Sequence, residues 1–166
     1  MNEMYAEAGV KCEKTSADLA KIAIIAVAFI ASVVLSMVVS PVFFVAAIGV
    51  GAFAIYKAGQ FNYEYEYIFC DGQLDIDKIM GNVKRKQMLR VDFAQCEVIA
   101  IEGSQALDTW NNRKLKEYDY TSHTKNKKPY VIIAHKDTDL VRILFEPNDA
   151  MVQCMRDKSR RLVHVQ

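Results

Sequence analysis

Charge is missing from one long stretch of this chain: no Asp, Glu, Lys or Arg occurs between Ile22 and Tyr56, while both flanks carry charges of both signs. Cysteine pairs are missing as well. The four cysteines, Cys12, Cys70, Cys96 and Cys154, stand far apart with no CxxC spacing, so neither a zinc ribbon nor a secreted disulfide framework is indicated, and reduced thiols are expected. No excess of one charge exists, with 21 Lys and Arg against 20 Asp and Glu, which argues against a nucleic-acid binder working by overall electrostatics. A glycine-rich phosphate loop, a nucleophile elbow and a metalloprotease helix are all absent. No cofactor is implied, and the expectation is a non-enzymatic protein.

The uncharged run is too long for one span. As a single helix it would reach about 50 Å, against a hydrocarbon core of about 30 Å. Its one central breaker is Ser40-Pro41, where the proline ring removes a backbone donor and disfavours helix at the residue before it. Two spans are therefore predicted, roughly 20–39 and 41–57, with Lys21 and Lys57 snorkelling toward the headgroups at one side. Ala28, Ser32 and Ser36 on the first helix, and Ala47 and Gly51 on the second, recur at helical spacing and suit close packing. A cleaved signal peptide is the rival reading of the first span, but its approach is long and mixed in charge and apolar sequence continues beyond it. Lys11, Lys14, Lys21 and Lys57 flank a hairpin whose tip is uncharged, so the positive-inside bias predicts a multi-pass protein of the cell membrane with both termini cytosolic. Thr15 with Asp18 resembles a capping box, which makes the first dozen residues a short frayed tail.

Beyond Lys57 the short linker Ala58-Gly59-Gln60 leads into Tyr63-Glu64-Tyr65-Glu66-Tyr67. That strict alternation reads as a strand with its tyrosines on one packed face. Asp71-Gly72 then turns the chain into a second strand through Leu74 and Ile76. Gly81-Asn82 offers the next turn, before strands at 84–91 and 97–101. The segment 103–128 is polar and is predicted as a long connection holding one irregular strand at 117–121. Segments 130–134 and 140–145, joined by Lys136-Asp137-Thr138-Asp139, are strongly strand-like. Asn148 caps a terminal helix predicted to run to about Val163, with Met151, Val152, Met155 and Leu162 on its apolar face.

A strand meander closed by one C-terminal helix resembles the bacterial pleckstrin-homology-like domain. More narrowly, FNYEYEYIFCDGQLDIDKIMGNVKRK and ILFEPNDAMVQCM resemble a group of small bacterial two-span membrane proteins bearing such a domain. The expected fold class is α+β: an N-terminal tail (1–18), a transmembrane helical hairpin (19–57), and a cytosolic pleckstrin-homology-like antiparallel β-domain of six or seven strands with a C-terminal helix (61–166). The resemblance carries over no catalytic residue. It implies a membrane-anchored interaction module that binds a protein partner or lipid at the cytosolic surface. The alternative is an accessory subunit packing through its hairpin into a larger membrane complex such as a transporter.

Surface chemistry supplies the remaining candidates. Asp71, Asp75 and Asp77 lack the rest of a calcium loop and fit a turn plus a solvent-facing strand. His123, His135 and His164 are isolated in sequence. Two basic groups stand out, Lys84-Arg85-Lys86 and Lys125, Lys127 and Lys128. With Arg156, Arg160 and Arg161 at the end of the last helix, Lys84, Arg85 and Lys86 are the residues expected to touch anionic lipid headgroups or a partner protein.

Overall fold

The computed structural model describes residues 4–81, 84–124 and 127–165, with the side chains of residue 17 and residues 58–61 left aside. The chain divides into two compact units. One holds the two long apolar helices, residues Glu13–Tyr63 with Met80–Lys84; the other holds residues Met1–Cys12, Glu64–Ile79 and Arg85–Gln166.

In the helical unit, α1 (Ser16–Val38) starts at Thr15, whose side chain accepts from the Asp18 amide while Asp18 reaches back to the Thr15 amide. This is the capping box that the sequence predicts. The chain turns at residues 39–42 into α2 (Phe43–Phe61). The proposed linker 58–60 is the last turn of α2, since nothing in Ala-Gly-Gln forces a helix to stop. Ala47 is buried and the Phe29 ring lies against Gly51, where an added Cβ would meet it at 3.3 Å. Of the predicted stripe on α1, Ser32 and Ser36 are partly covered and Ala28 is exposed. Both serines donate into their own helix, to Ala28 O at 2.8 Å and Val33 O at 2.6 Å, a bond that spares a hydroxyl in apolar surroundings. Residues Asp18–Val38 form the one described helix long and apolar enough to cross a membrane; Phe43–Lys57 is apolar but shorter.

The first strand, β1 (Tyr5–Lys11), overturns the frayed tail. It pairs antiparallel with β2 (Tyr63–Cys70) from Tyr5 opposite Cys70 to Lys11 opposite Glu64. Ala6, Ala8 and Val10 turn inward and Glu7 and Lys11 outward, a period of two that small residues make faint. Then follow β3 (Gln73–Met80) and β4 (Lys84–Asp92), giving a sheet of order β1-β2-β3-β4. Both residues of the β2–β3 turn, Asp71 and Gly72, have positive φ, 46° and 97°, as the two-residue hairpin of type I′ demands. Asn82 of the next predicted turn lies outside the described residues.

The second sheet contains β5 (Cys96–Ile101), β6 (Lys116–Asp119), β7 (Tyr130–Lys136), β8 (Asp139–Phe145) and β9 (Val163–His164), in the order β6-β8-β7-β5-β9. It is mixed, not purely antiparallel: β6 runs parallel to β8 and β9 parallel to β5. Tyr67, Phe69, Leu74 and Ile76 of the first sheet and Ile99, Ile132, Ile143 and Phe145 of the second are all fully buried. Tyr67 meets Phe145 edge to face at 5.6 Å. The other face of the second sheet is covered too, because the polar connection, which includes the short helix α3 (Asp108–Asn111), packs Ala106, Trp110 and Leu115 on Val98, Val131 and Ile133. That double burial is why β7 reads as an unbroken apolar run.

Helix α4 (Asp149–Lys158) seats Met151, Val152 and Met155 in the core. It stops short of the predicted end. Ser159 breaks it with an extended backbone, and Leu162 packs from the segment leading into β9. Asn148 accepts from the Met151 amide at 2.8 Å and donates to Glu7 O at 2.9 Å, so the helix cap also clasps β1.

The register makes a sharp prediction. Residues 13–62 can be replaced by Asn-Gly, placing Cys12 opposite Tyr63 across a two-residue turn. That protein should be soluble and unfold in one cooperative transition by circular dichroism. A chain starting at Phe61 lacks β1 and leaves the β2 edge open. Its stability should be lower by about 2 kcal/mol or more, from losing the contacts of Ala6, Ala8 and Val10.

Candidate functional site

The outer face of the β1–β4 sheet is where the first predicted contact group sits, and its charges answer one another. Arg85 on β4 donates to Asp77 Oδ2 on β3 at 2.6 Å and also pairs with Glu66 on β2. Arg90 grips Asp75 through two bonds of 2.6 and 2.8 Å. The Arg90 guanidinium, by hydrogen bonding, holds the Asp75 carboxyl below the usual carboxylate range. Strand alternation leaves Glu66 and Asp75 half-buried and Asp77 buried, and all three serve the neighbouring arginines. Arg85 is committed within the sheet and is not the free contact residue the sequence suggests. Lys84 stands 6.0 Å over the Tyr56 ring, and Lys86 is exposed. Asp71 pairs with Lys158 at 2.5 Å, so the three aspartates have separate partners. No group of three metal-ligating side chains occurs among the described residues.

The thiols and imidazoles are dispersed. Burial pushes the thiols of Cys12 and Cys96 up to about 12, which keeps them protonated and poorly nucleophilic at neutral pH. His135 contacts Glu97 at 3.0 Å on the surface, and His123 lies near Asp119 at 3.6 Å.

A buried polar cluster went unseen in sequence. Glu146, at the end of β8, accepts from the Ser122 amide at 3.1 Å and from Ser122 Oγ at 2.9 Å. Lys127, the described member of the second lysine group along with Lys128, approaches its other oxygen at 3.8 Å; Lys125 lies outside the described residues. Cys12 donates weakly to Thr121 O, and the Tyr67 hydroxyl donates to Tyr120 O at 2.5 Å, with burial pushing that hydroxyl's pKa up. The cluster fixes residues 120–124 at the end of β6. Its signal in sequence was only an acid between the apolar end of β8, Ile143-Leu144-Phe145, and Pro147.

The third arrangement lies where α4 meets β9. Arg156 and Arg160 line a groove of about 470 Å³ together with Val163, His164 and Val165. Arg161 is exposed beside them. Arg156 is helical, but Arg160 and Arg161 belong to the turn after the helix, so the predicted single helical arc does not exist. That turn is also firmly held, because Leu162 N bonds Ser159 O at 3.2 Å, Ile99 N bonds Leu162 O at 2.8 Å, and Leu162 and Val163 are buried. Lys158 reaches over Gly72 to pair with Asp71.

Replacing Glu146 by Ala should strand the Ser122 amide inside the protein at a cost of about 1–3 kcal/mol, read as a lower urea midpoint. Arg85→Ala should lower the midpoint too, because the Asp77 carboxylate that it pairs with is buried and loses its partner; Lys86→Ala, at an exposed residue, should move it much less.

A family model described as Bacterial PH-like domain (DUF6106) matches residues 2–165. No curated protein and no solved structure matches the chain. The match begins before β1 and ends in the residue after β9, so it takes in the apolar helices as well as both sheets. The chain belongs to the family of bacterial PH-like domains.

Proposed function

We propose that this protein is a non-enzymatic binding module held at the cytosolic face of the cell membrane by a two-span hairpin, where its PH-like domain engages a protein partner or lipid. The binding role is supported by the family, and the anchoring by one observation: β1 and β2 are hydrogen-bonded neighbours although α1 and α2 separate them in the chain. Strands of one sheet share one side of a bilayer. If α1 crosses, α2 must bring the chain back, so one crossing is incompatible with the sheet and two are compatible. The same pairing disfavours cleavage after α1, which would release β1 from the polypeptide.

Length and chemistry agree with two crossings. Helix α1 exposes Ile24, Val27, Ile30, Val34 and Val38, and α2 exposes Phe44, Ile48 and Ile55, so neither is the hidden core helix of a soluble protein. The apolar part of α2, Phe43–Lys57, reaches about 22 Å, so a second crossing draws on Pro41 and Val42 at the tip and on the snorkelling of Lys57. Lysines 11, 14, 21 and 57 at the open end favour the cytosol for that end.

Cysteine labelling tests the topology. In intact cells an impermeant maleimide should label Val42→Cys at the hairpin tip and leave the exposed native Cys70 unmodified until lysis. Labelling of Cys70 before lysis, or a Val42→Cys site that stays protected, would overturn the two-span cytosolic arrangement.

A further inference from the structure

We infer that Arg156, Arg160 and His164 form a binding site for a phosphate group. The inference deepens the binding-module reading by naming the chemistry that one surface recognises.

The starting point is how the other arginines are occupied. Arg85 holds Glu66 and Asp77, Arg90 holds Asp75, Arg142 holds Glu102 and Glu117, and Arg113 lies 4.7 Å over the Trp110 ring. Arg156, Arg160 and Arg161 have no hydrogen-bond or ion-pair partner among the described residues. The uncommitted guanidinium groups are thus gathered in one place, and two of them line one groove with an imidazole. No acidic residue lines it. The nearest carboxylate in sequence, Asp157, accepts from Gln153 at 3.0 Å.

Helix-end electrostatics account for part of this set only. Basic residues in a last helical turn offset the partial negative charge there, which suits Arg156 and Lys158. Arg160 lies beyond the helix, and His164 comes from a strand. Their approach to Arg156 is imposed by the tight turn from Ser159 to Leu162 and by the pairing of β9 with β5. A rigid backbone thus carries two guanidinium groups and an imidazole from three elements to a single groove, which lowers the cost of ordering them around a ligand.

Ligand chemistry follows from the donors. Guanidinium forks bind planar pairs of oxygens on carboxylate or phosphate. One fork satisfies a carboxylate, whereas two forks and an imidazole that line one groove from separate elements suit a group with three outward oxygens. The volume of about 470 Å³ leaves room for what carries the phosphate. A phosphomonoester lipid headgroup and a free phosphate compound present the same group.

The test uses the full chain in phosphatidylcholine nanodiscs, with the His164 ring observed by NMR at fixed pH. Inorganic phosphate should shift the ring saturably and acetate should not. R156Q and R160Q should each weaken the response about tenfold or more, as loss of a charge-assisted hydrogen bond predicts, with an unchanged unfolding midpoint; Lys86→Gln should leave it intact. Discs containing phosphatidic acid that pre-empt the titration, where phosphatidylglycerol discs do not, would assign the lipid. A titration unaffected by either lipid would assign a free phosphate compound. A non-saturable shift, an equal shift with acetate, or indifference to both arginine substitutions would overturn the site. None of these outcomes depends on the maleimide pattern at Val42→Cys and Cys70, so the two ideas fail separately.

Discussion

Everything in this protein hangs on the ladder between β1 and β2. Seven residue pairs, from Tyr5 opposite Cys70 to Lys11 opposite Glu64, close a loop that contains both apolar helices. The ladder fills the edge of the first sheet and brings Ala6, Ala8 and Val10 into the core. It also gives Asn148 a carbonyl to clasp, so the start of α4 is fixed to the first strand of the chain. The hairpin is thereby an insertion within the PH-like domain, tied at both ends to adjacent strands.

Much of the architecture was legible because local chemistry agreed with global packing. Asp71-Gly72 specified its turn through backbone conformation alone, and the tyrosine alternation placed Tyr65 and Tyr67 inward. Asn148 announced α4 by a cap that the structure contains. What stayed hidden depended on partners remote in sequence. The alanines and glycine of β1 are weak strand formers, and its mate lies beyond the hairpin. The connection 103–128 looks like solvent-exposed loop because three widely spaced residues, Leu107, Trp110 and Leu115, supply its hold on the second sheet. The parallel pairings of β6 and β9 leave no local signature, since no tight turn joins the partners.

The charged residues teach the same lesson. Lys84-Arg85-Lys86 is the more conspicuous cluster in sequence, yet Arg85 is drawn into the carboxylates of β2 and β3. The arginines near the C-terminus are interspersed with ordinary helical residues and draw less notice, but the break at Ser159 and the return into β9 leave them uncommitted. Spacing along the chain located positive charge in both places. Only the fold decides which charges are already spent, because that depends on which carboxylates lie across a strand.

The ladder also sets an order of assembly. Strand β1 leaves the ribosome first and has no partner until β2 has been made, roughly 50 residues later. For a flexible chain the entropy of closing such a loop rises as about (3/2)RT ln n, and contacts so distant are among the slowest to form. Once α1 and α2 have folded back on each other, Cys12 and Tyr63 become the two ends of a preformed clamp, and the longest-range pairing in the sheet turns into a local one. Closure of the apolar hairpin would thus lower the entropic cost of pairing β1 with β2, although the hairpin contributes no strand to the sheet.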